Sequence, residues 1–199
     1  MPKPETFLFD MDGVLCRYDF AGRLQRLQAV LGVSAAEIGA RIFQSGFEGD
    51  ADLGVYDSDI YMTEVSRRLG VTVDRQTWLA ARAEAMTPDH GMLELARDLK
   101  RNHDIALMTN NGALLSESID EIFPTLREIF GQQLVFSSDI SAGKEHAATF
   151  PILMTRFGWH AETTLFIDDS ETYIAAGRKA GVQTHLFTGI DGLRAVLRE

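Results

Sequence analysis

Apolar positions along the chain follow two rhythms. Short unbroken apolar runs, TFLF from Thr6, DIALMT from Asp104, QLVFS from Gln133, TTLFI from Thr163 and VQTHLF from Val182, read as buried strands. Elsewhere the spacing is helical. Phe20, Leu24, Leu27 and Leu31 lie on one face of a helix that stops near Gly32. Ser34 can cap a second helix, with Ile38 and Ile42 on one stripe. Asp57 or Ser58 can cap a third, running through Val65 and Leu69 to Gly70, and Asp74 a fourth around Trp78 and Leu79. Beyond MTPDHG the two rhythms alternate, with helices over MLELARDLKR and at about 114–123, 145–157 and 171–180. Alternation of this kind predicts an α/β fold, a doubly wound parallel sheet with helices on both faces. Residues 17–86 then form a helical insertion after the first strand, and 1–16 with 87–199 form the α/β core.

Composition adds limits. The chain has 199 residues, 45% of them hydrophobic and 24% charged, enough for one core with a modest insertion. Its formal net charge is −10 with no long basic run, which argues against a nucleic-acid or anionic membrane surface. The single cysteine, Cys16, permits no internal disulfide and fits a reducing compartment. MPKPETF lacks the apolar stretch of a signal peptide, so a soluble, cytoplasmic protein is expected.

Four polar clusters follow the strands. Asp10 and Asp12 end the first, Thr109 to Gly112 (TNNG) the second, Lys144 comes shortly after the third, and Asp168 to Ser170 (DDS) ends the fourth. Ligands of open parallel sheets bind beyond the carboxyl ends of the strands, so these groups are expected to meet in one crevice. Several carboxylates together require a cation, and an oxygen-only donor set favours a hard one such as Mg²⁺. The hydroxyl, the amides and the ammonium would hold an anionic group beside it. A carboxylate facing a phosphoryl group can form an aspartyl-phosphate, and a second carboxylate two residues on can move the proton.

On these residues the chain resembles the haloacid dehalogenase-like (HAD) hydrolase superfamily, in subfamily I, whose members carry a helical C1 cap. FDMDGVL resembles its first motif, LMTNNG the second, SAGKEHAATF the third and TLFIDDSETYIAAGRKAGVQTHLF the fourth, in order across about Thr6 to Phe187. The resemblance implies a Rossmann-like core with an inserted helical cap domain, and Mg²⁺-dependent hydrolysis of a small organic phosphate. It makes Asp10 the nucleophile and a metal ligand. Asp12 becomes the general acid/base, its backbone carbonyl on the metal. It gives the phosphoryl oxygens to Thr109 and Asn110, sets Lys144 between Asp10 and the phosphate, and takes Asp169 as direct ligand with Asp168 acting through water or in support. Sugar phosphates are the substrates that other capped members suggest. The chain departs from the pattern at Glu145 and His146, where Pro-Asp is common, and at Thr172 and Tyr173, where Asn is frequent.

Three other functions share much of this signal. A phosphomutase differs only in denying water access to the phospho-enzyme, and a dehalogenase of 2-haloacids has no use for Asp12. A non-catalytic binding module needs none of the catalytic groups present. Arg17, Tyr18 and Asp19 fit either a linker or a surface facing substrate. Phe43, Phe47, Tyr61 and Trp78 fit the core of the insertion, Cys16 a plain buried thiol, and the histidines show no ligand spacing.

Overall fold

The computed structural model describes residues 2–198. The first strand, β1 (Thr6–Phe9), is followed at once by a short ribbon. In it β2 (Cys16–Tyr18) pairs antiparallel with β3 (Met86–Pro88), Arg17 opposite Thr87. Between the two ribbon strands lie α1 (Phe20–Leu31), α2 (Ala35–Ile38) with a π turn over 39–43, α3 (Phe47–Asp52), α4 (Ser58–Leu69) and α5 (Arg75–Glu84). Asp19, Ser34, Asp57 and Asp74 each accept a backbone N–H at the start of the helix they precede. Gly32 and Gly70 end α1 and α4 in the left-handed conformation.

The rest of the chain alternates as its rhythm implies. It runs α6 (His90–Lys100), β4 (Asp104–Thr109), α7 (Ala113–Ile122), α8 (Pro124–Phe130), β5 (Leu134–Phe136) and α9 (Ser137–Ile140). It ends with α10 (Thr149–Phe157), β6 (Thr164–Asp168), α11 (Glu171–Lys179), β7 (Gln183–Leu186) and α12 (Ile190–Arg198). Five strands form one parallel sheet in the order β5-β4-β1-β6-β7. The order reverses at β1, so the crevice for a ligand opens beyond Phe9, between β4 and β6. Successive side chains of β1 serve opposite faces. Phe7 and Phe9 pack with Leu93, Ile119 and Leu126, whereas Leu8 packs with Phe150, Leu153 and Ile174.

The insertion has its own core. Leu27, Ile38, Ile42, Phe47, Tyr61, Val65 and Trp78 are buried together with Leu114, the last contributed by α7. The insertion is therefore seated on the helix that leaves β4. Two close approaches fix the seat. Ser137 Oγ donates to the Asp52 carbonyl at 2.6 Å, and a Cβ at Gly54 (φ 78°) would lie 2.7 Å from the Ser138 carbonyl oxygen.

Three local expectations differ. The helix expected at about 145–157 begins at Thr149, because residues 144–148 turn around Lys144 instead. Phe20 stands 38% exposed at the first turn of α1, and it is Arg23 that joins Leu27 in burial on this helix. Helices α3 and α8 occupy segments to which the spacing assigns no element.

Candidate active site

Asp10 and Asp168 end adjacent strands and are 5% and 0% exposed, close to a Lys144 that is 1% exposed. Burying three charged groups is tolerable only if they satisfy one another. The Lys144 ammonium donates to Asp168 Oδ2 at 2.7 Å and also pairs with Asp10. It lies 4.9 Å from the centre of the Tyr173 ring. Asp168 Oδ1 accepts the Ser170 backbone N–H at 2.8 Å. Asn110 pins the Lys144 loop, its Oδ1 accepting the Lys144 backbone N–H at 3.0 Å and its Nδ2 donating to Glu145 at 2.9 Å. These bonds set Lys144 without a helix beneath it.

Asp169 lies on the solvent side. Gly13 (φ 87°) lets β1 turn beneath it, for a Cβ there would fall 2.1 Å from Asp169 Oδ2. Carboxylate oxygens of Asp10, Asp168 and Asp169 lie within 4.8 Å of one another. Three carboxylates face one ammonium, and the surplus is negative. Burial raises the Asp10 carboxyl first of all. Lys144 pulls it back, and Asp168 adds to the rise. Burial, then Asp168, also raises Asp169. Lys144 shows the converse balance: burial lowers it, but the two carboxylates outweigh burial and hold it charged. A hard divalent cation fits this donor set by charge and by atom type.

Thr109 ends β4 nearby, buried, and its Oγ1 accepts from Asn111 Nδ2 at 2.7 Å, leaving its proton free to donate. Helix α7 opens just beyond with Gly112 as N-cap and no side-chain capping bond, so its first N–H groups are available to an anion.

Asp12 differs from the other carboxylates. Its Oδ2 pairs with Arg82, and its Oδ1 accepts from the Cys16 thiol at 3.5 Å. Arg82 comes from α5 of the insertion, is 4% exposed, and lies 3.9 Å from the centre of the Tyr18 ring. Sequence reasoning missed it. The available signal was its position, since Trp78, Ala81 and Arg82 share the buried stripe of α5. An arginine on an apolar stripe needs an anion or an aromatic face, and Arg82 finds both. Arg23 repeats the pattern on α1. It donates from Nη1 to the Tyr18 hydroxyl at 3.0 Å and stands 5.1 Å from the centres of the Phe43 and Trp78 rings. Burial, then Asp12, pushes the Cys16 thiol well up, which keeps it inert.

Glu48 and Asp52 of α3 are also acidic and enclosed. Glu48 accepts from the Tyr61 hydroxyl at 2.7 Å, and burial raises its carboxyl. Burial, with Glu48 adding, pushes Asp52 up to about 8 from the usual 3.8. Between those values the folded chain keeps a proton that the unfolded chain has released. Stability therefore falls as pH rises through this window. Asp52→Asn is expected to melt higher than wild type, by about 1 kcal/mol at pH 8, with a smaller gain at pH 5. Melting temperatures at the two pH values check this; a gain that shrinks with rising pH contradicts it.

The model of the family described as haloacid dehalogenase-like hydrolase matches residues 4–181. No curated protein is similar enough in sequence to match. Among solved structures, a predicted HAD-like family hydrolase from Porphyromonas gingivalis superposes with a TM-score of 0.85 at 20% identity, covering 100% of both chains. A HAD family enzyme from Bacteroides thetaiotaomicron, in complex with magnesium and inorganic phosphate, superposes with a TM-score of 0.76 at 18% identity, over 92% of this chain and 93% of the other. A putative beta-phosphoglucomutase from Thermotoga maritima gives 0.62 at 17% identity, over 96% and 91%.

Proposed function

The chain belongs to the haloacid dehalogenase-like hydrolases, and from that premise we propose that it is a phosphomonoesterase acting on a small organic phosphate through an aspartyl-phosphate at Asp10. One observation carries the proposal. Asp10, Asp168 and Asp169 lie within 4.8 Å of one another against a single ammonium, at the strand ends where the sheet order reverses.

In this reading Asp10 attacks phosphorus and the ester P–O bond breaks, while Asp12 gives its proton to the departing alkoxide. Water then attacks the phosphoryl group, its proton passes to Asp12, and the bond to Asp10 breaks to release phosphate. Lys144 opposes the upward push of burial on the Asp10 carboxyl and aims it. The Thr109 hydroxyl, Asn110 and the first N–H groups of α7 receive the phosphoryl oxygens. Asp10, Asp169 and the Asp12 carbonyl would hold Mg²⁺, with Asp168 in support, and the ion would supply neutralisation of the phosphoryl charge. Arg82 pairs with Asp12, and this pair has to part for Asp12 to serve the departing alkoxide.

Residues 17–86 serve as the cap domain, of the C1 type, with the β2–β3 ribbon as its hinge. A lobe closing there excludes water and leaves room for a metabolite, not for a nucleic acid or a folded protein. Sugar phosphates are the first substrates to try, and the site of action is the cytoplasm. A dehalogenase would leave Asp12 without a task. Among the described residues, no helix is long and apolar enough to cross a membrane.

The test is phosphate release from a panel of phosphomonoesters with Mg²⁺, with Ca²⁺ and with a chelator. Mg²⁺ is expected to be required, the chelator to remove at least about 99% of turnover, and Ca²⁺ to substitute poorly, since it tolerates looser coordination. Chelator-resistant halide release from a haloacid would overturn the reading.

A further inference from the structure

Three side chains outside the carboxylate cluster converge on Lys144, and they come from three segments of the chain. Asn110 follows β4, Glu145 follows Lys144 itself, and Tyr173 lies in the first turn of α11, just beyond β6. Asn110 Nδ2 donates to Glu145 Oε2 at 2.9 Å and reaches the Tyr173 hydroxyl at 3.4 Å, while its Oδ1 accepts the Lys144 backbone N–H at 3.0 Å. Tyr173 also meets the other end of the lysine, its ring centre 4.9 Å from Nζ.

Glu145 settles which way the Asn110 amide points. An amide has an acceptor at one end and donors at the other, and only its oxygen suits the Lys144 N–H. A carboxylate accepts, so Glu145 draws the NH₂ end to itself and turns the oxygen toward Lys144. Reversed, the amide would set N–H against N–H. The loop is shaped around this carboxylate. A side chain at Gly143 would run into it, and the Thr149 hydroxyl donates to the Gly143 carbonyl at 2.6 Å. The Asn110 side chain is thereby committed, and what this residue offers a phosphoryl oxygen is its backbone N–H.

We propose that Glu145 and Tyr173 are positioning residues for the reaction, Glu145 acting on the Lys144 backbone through the Asn110 amide and Tyr173 steadying the ammonium with its ring. The proposal rests on the phosphomonoesterase reading, in which the ammonium must lie between Asp10 and the phosphoryl group. Glu145 and Tyr173 also stand where the chain departs from the motifs it otherwise follows, and in the fold one amide joins the two departures. The Glu145 side chain is 35% exposed, so its bond to Asn110 contributes little to stability. Its value lies in placement, because an error of about 1 Å in a group that meets the transition state can cost about 10²-fold in rate.

The experiment on the full chain has a half that needs no activity and a kinetic half. In the first, amines are acetylated by a small acylating reagent without Mg²⁺ or ester and read by peptide mass spectrometry, with the exposed Lys3 and Lys179 as internal references. Relative to these, Lys144 is expected to label at least about tenfold faster in Glu145→Ala and Tyr173→Leu than in the wild type. It should label at the wild-type rate in Glu145→Gln, whose side-chain oxygen still accepts from Asn110, and in Tyr173→Phe, which keeps the ring. With Mg²⁺ and nitrophenyl phosphate, kcat is expected to fall about tenfold in Glu145→Ala and Tyr173→Leu with KM within about twofold, and the two conservative variants to recover most of it. Asn110→Ala combined with Glu145→Ala should be no slower than Asn110→Ala alone, because Glu145 acts through that amide. Thermal melting confirms that each variant is folded, and Glu145→Ala carries the test if Tyr173→Leu is not. Unmoved labelling or unmoved kcat in the folded variants, or additive losses in the double variant, overturns the proposal while leaving the phosphatase standing. Absence of Asp10-dependent phosphate release from every ester would instead remove the reading beneath it, and the labelling would still decide what places Lys144.

Discussion

Asp10→Asn is expected to lower kcat on every phosphomonoester by about 10³-fold or more. The amide keeps the shape of the side chain but has no anionic oxygen with which to attack phosphorus. Unfolding would not be the cause. Lys144 retains Asp168 at 2.7 Å, so the buried ammonium is still paired, and one of three crowded carboxylates has been neutralised. The variant should melt at or above the wild-type temperature. Steady-state kinetics and a thermal scan on the same preparation check both halves. More than about a tenth of wild-type turnover in the variant removes Asp10 from the nucleophile's place.

Lys144→Met is expected to fail in both respects. The side chain is buried between Asp10 and Asp168, and its removal leaves two enclosed carboxylates facing each other with no cation from the chain. Breaking a buried ion pair from one side typically costs about 3–5 kcal/mol, a large part of the stability of an ordinary domain. The carboxylates can recover some of this by taking up a proton, which the folded state then holds above its usual range. The deficit should therefore shrink as pH falls from 8 to 5. Adding Asp168→Asn to Lys144→Met should restore part of the lost stability, since one uncompensated charge is gone. Denaturant midpoints of the single and double variants in the absence of Mg²⁺ measure this. A double variant less stable than Lys144→Met alone would show that Lys144 does not act by compensating Asp168.

What was legible in the sequence follows from how local each feature is. Asp10, Thr109 and Asp168 close apolar runs, and a parallel sheet delivers the ends of such runs to one edge whatever the loops do. The caps at Ser34, Asp57 and Asp74 were readable because a capping side chain acts within three residues of itself. Features made by distant contacts were not readable. Ribbon strands β2 and β3 have three residues each and gain their pairing only from one another, some 70 positions apart. Helix α3 lies in GFEGDADLG, a segment with three glycines and three acids to which the spacing assigns no element, and the helix is held by Phe47 and Ala51 packing into the insertion. Missing α3 also hid Glu48 and Asp52, which meet the arginines only once that helix has formed. Lys144 was expected to open a helix, but Asn110, 34 residues earlier, holds its backbone in a turn.

The central claim is that Asp10 carries the phosphoryl group during turnover. Rapid quenching of the enzyme with Mg²⁺ and a turned-over phosphomonoester, followed by borohydride reduction and peptide mass spectrometry, tests it most directly, because an acyl phosphate is reduced where a free carboxylate is not. The account predicts homoserine at position 10 in the wild-type chain and none in Asp10→Asn. Steady turnover with position 10 unmodified, or reduction at Asp12, Asp168 or Asp169 instead, would contradict it.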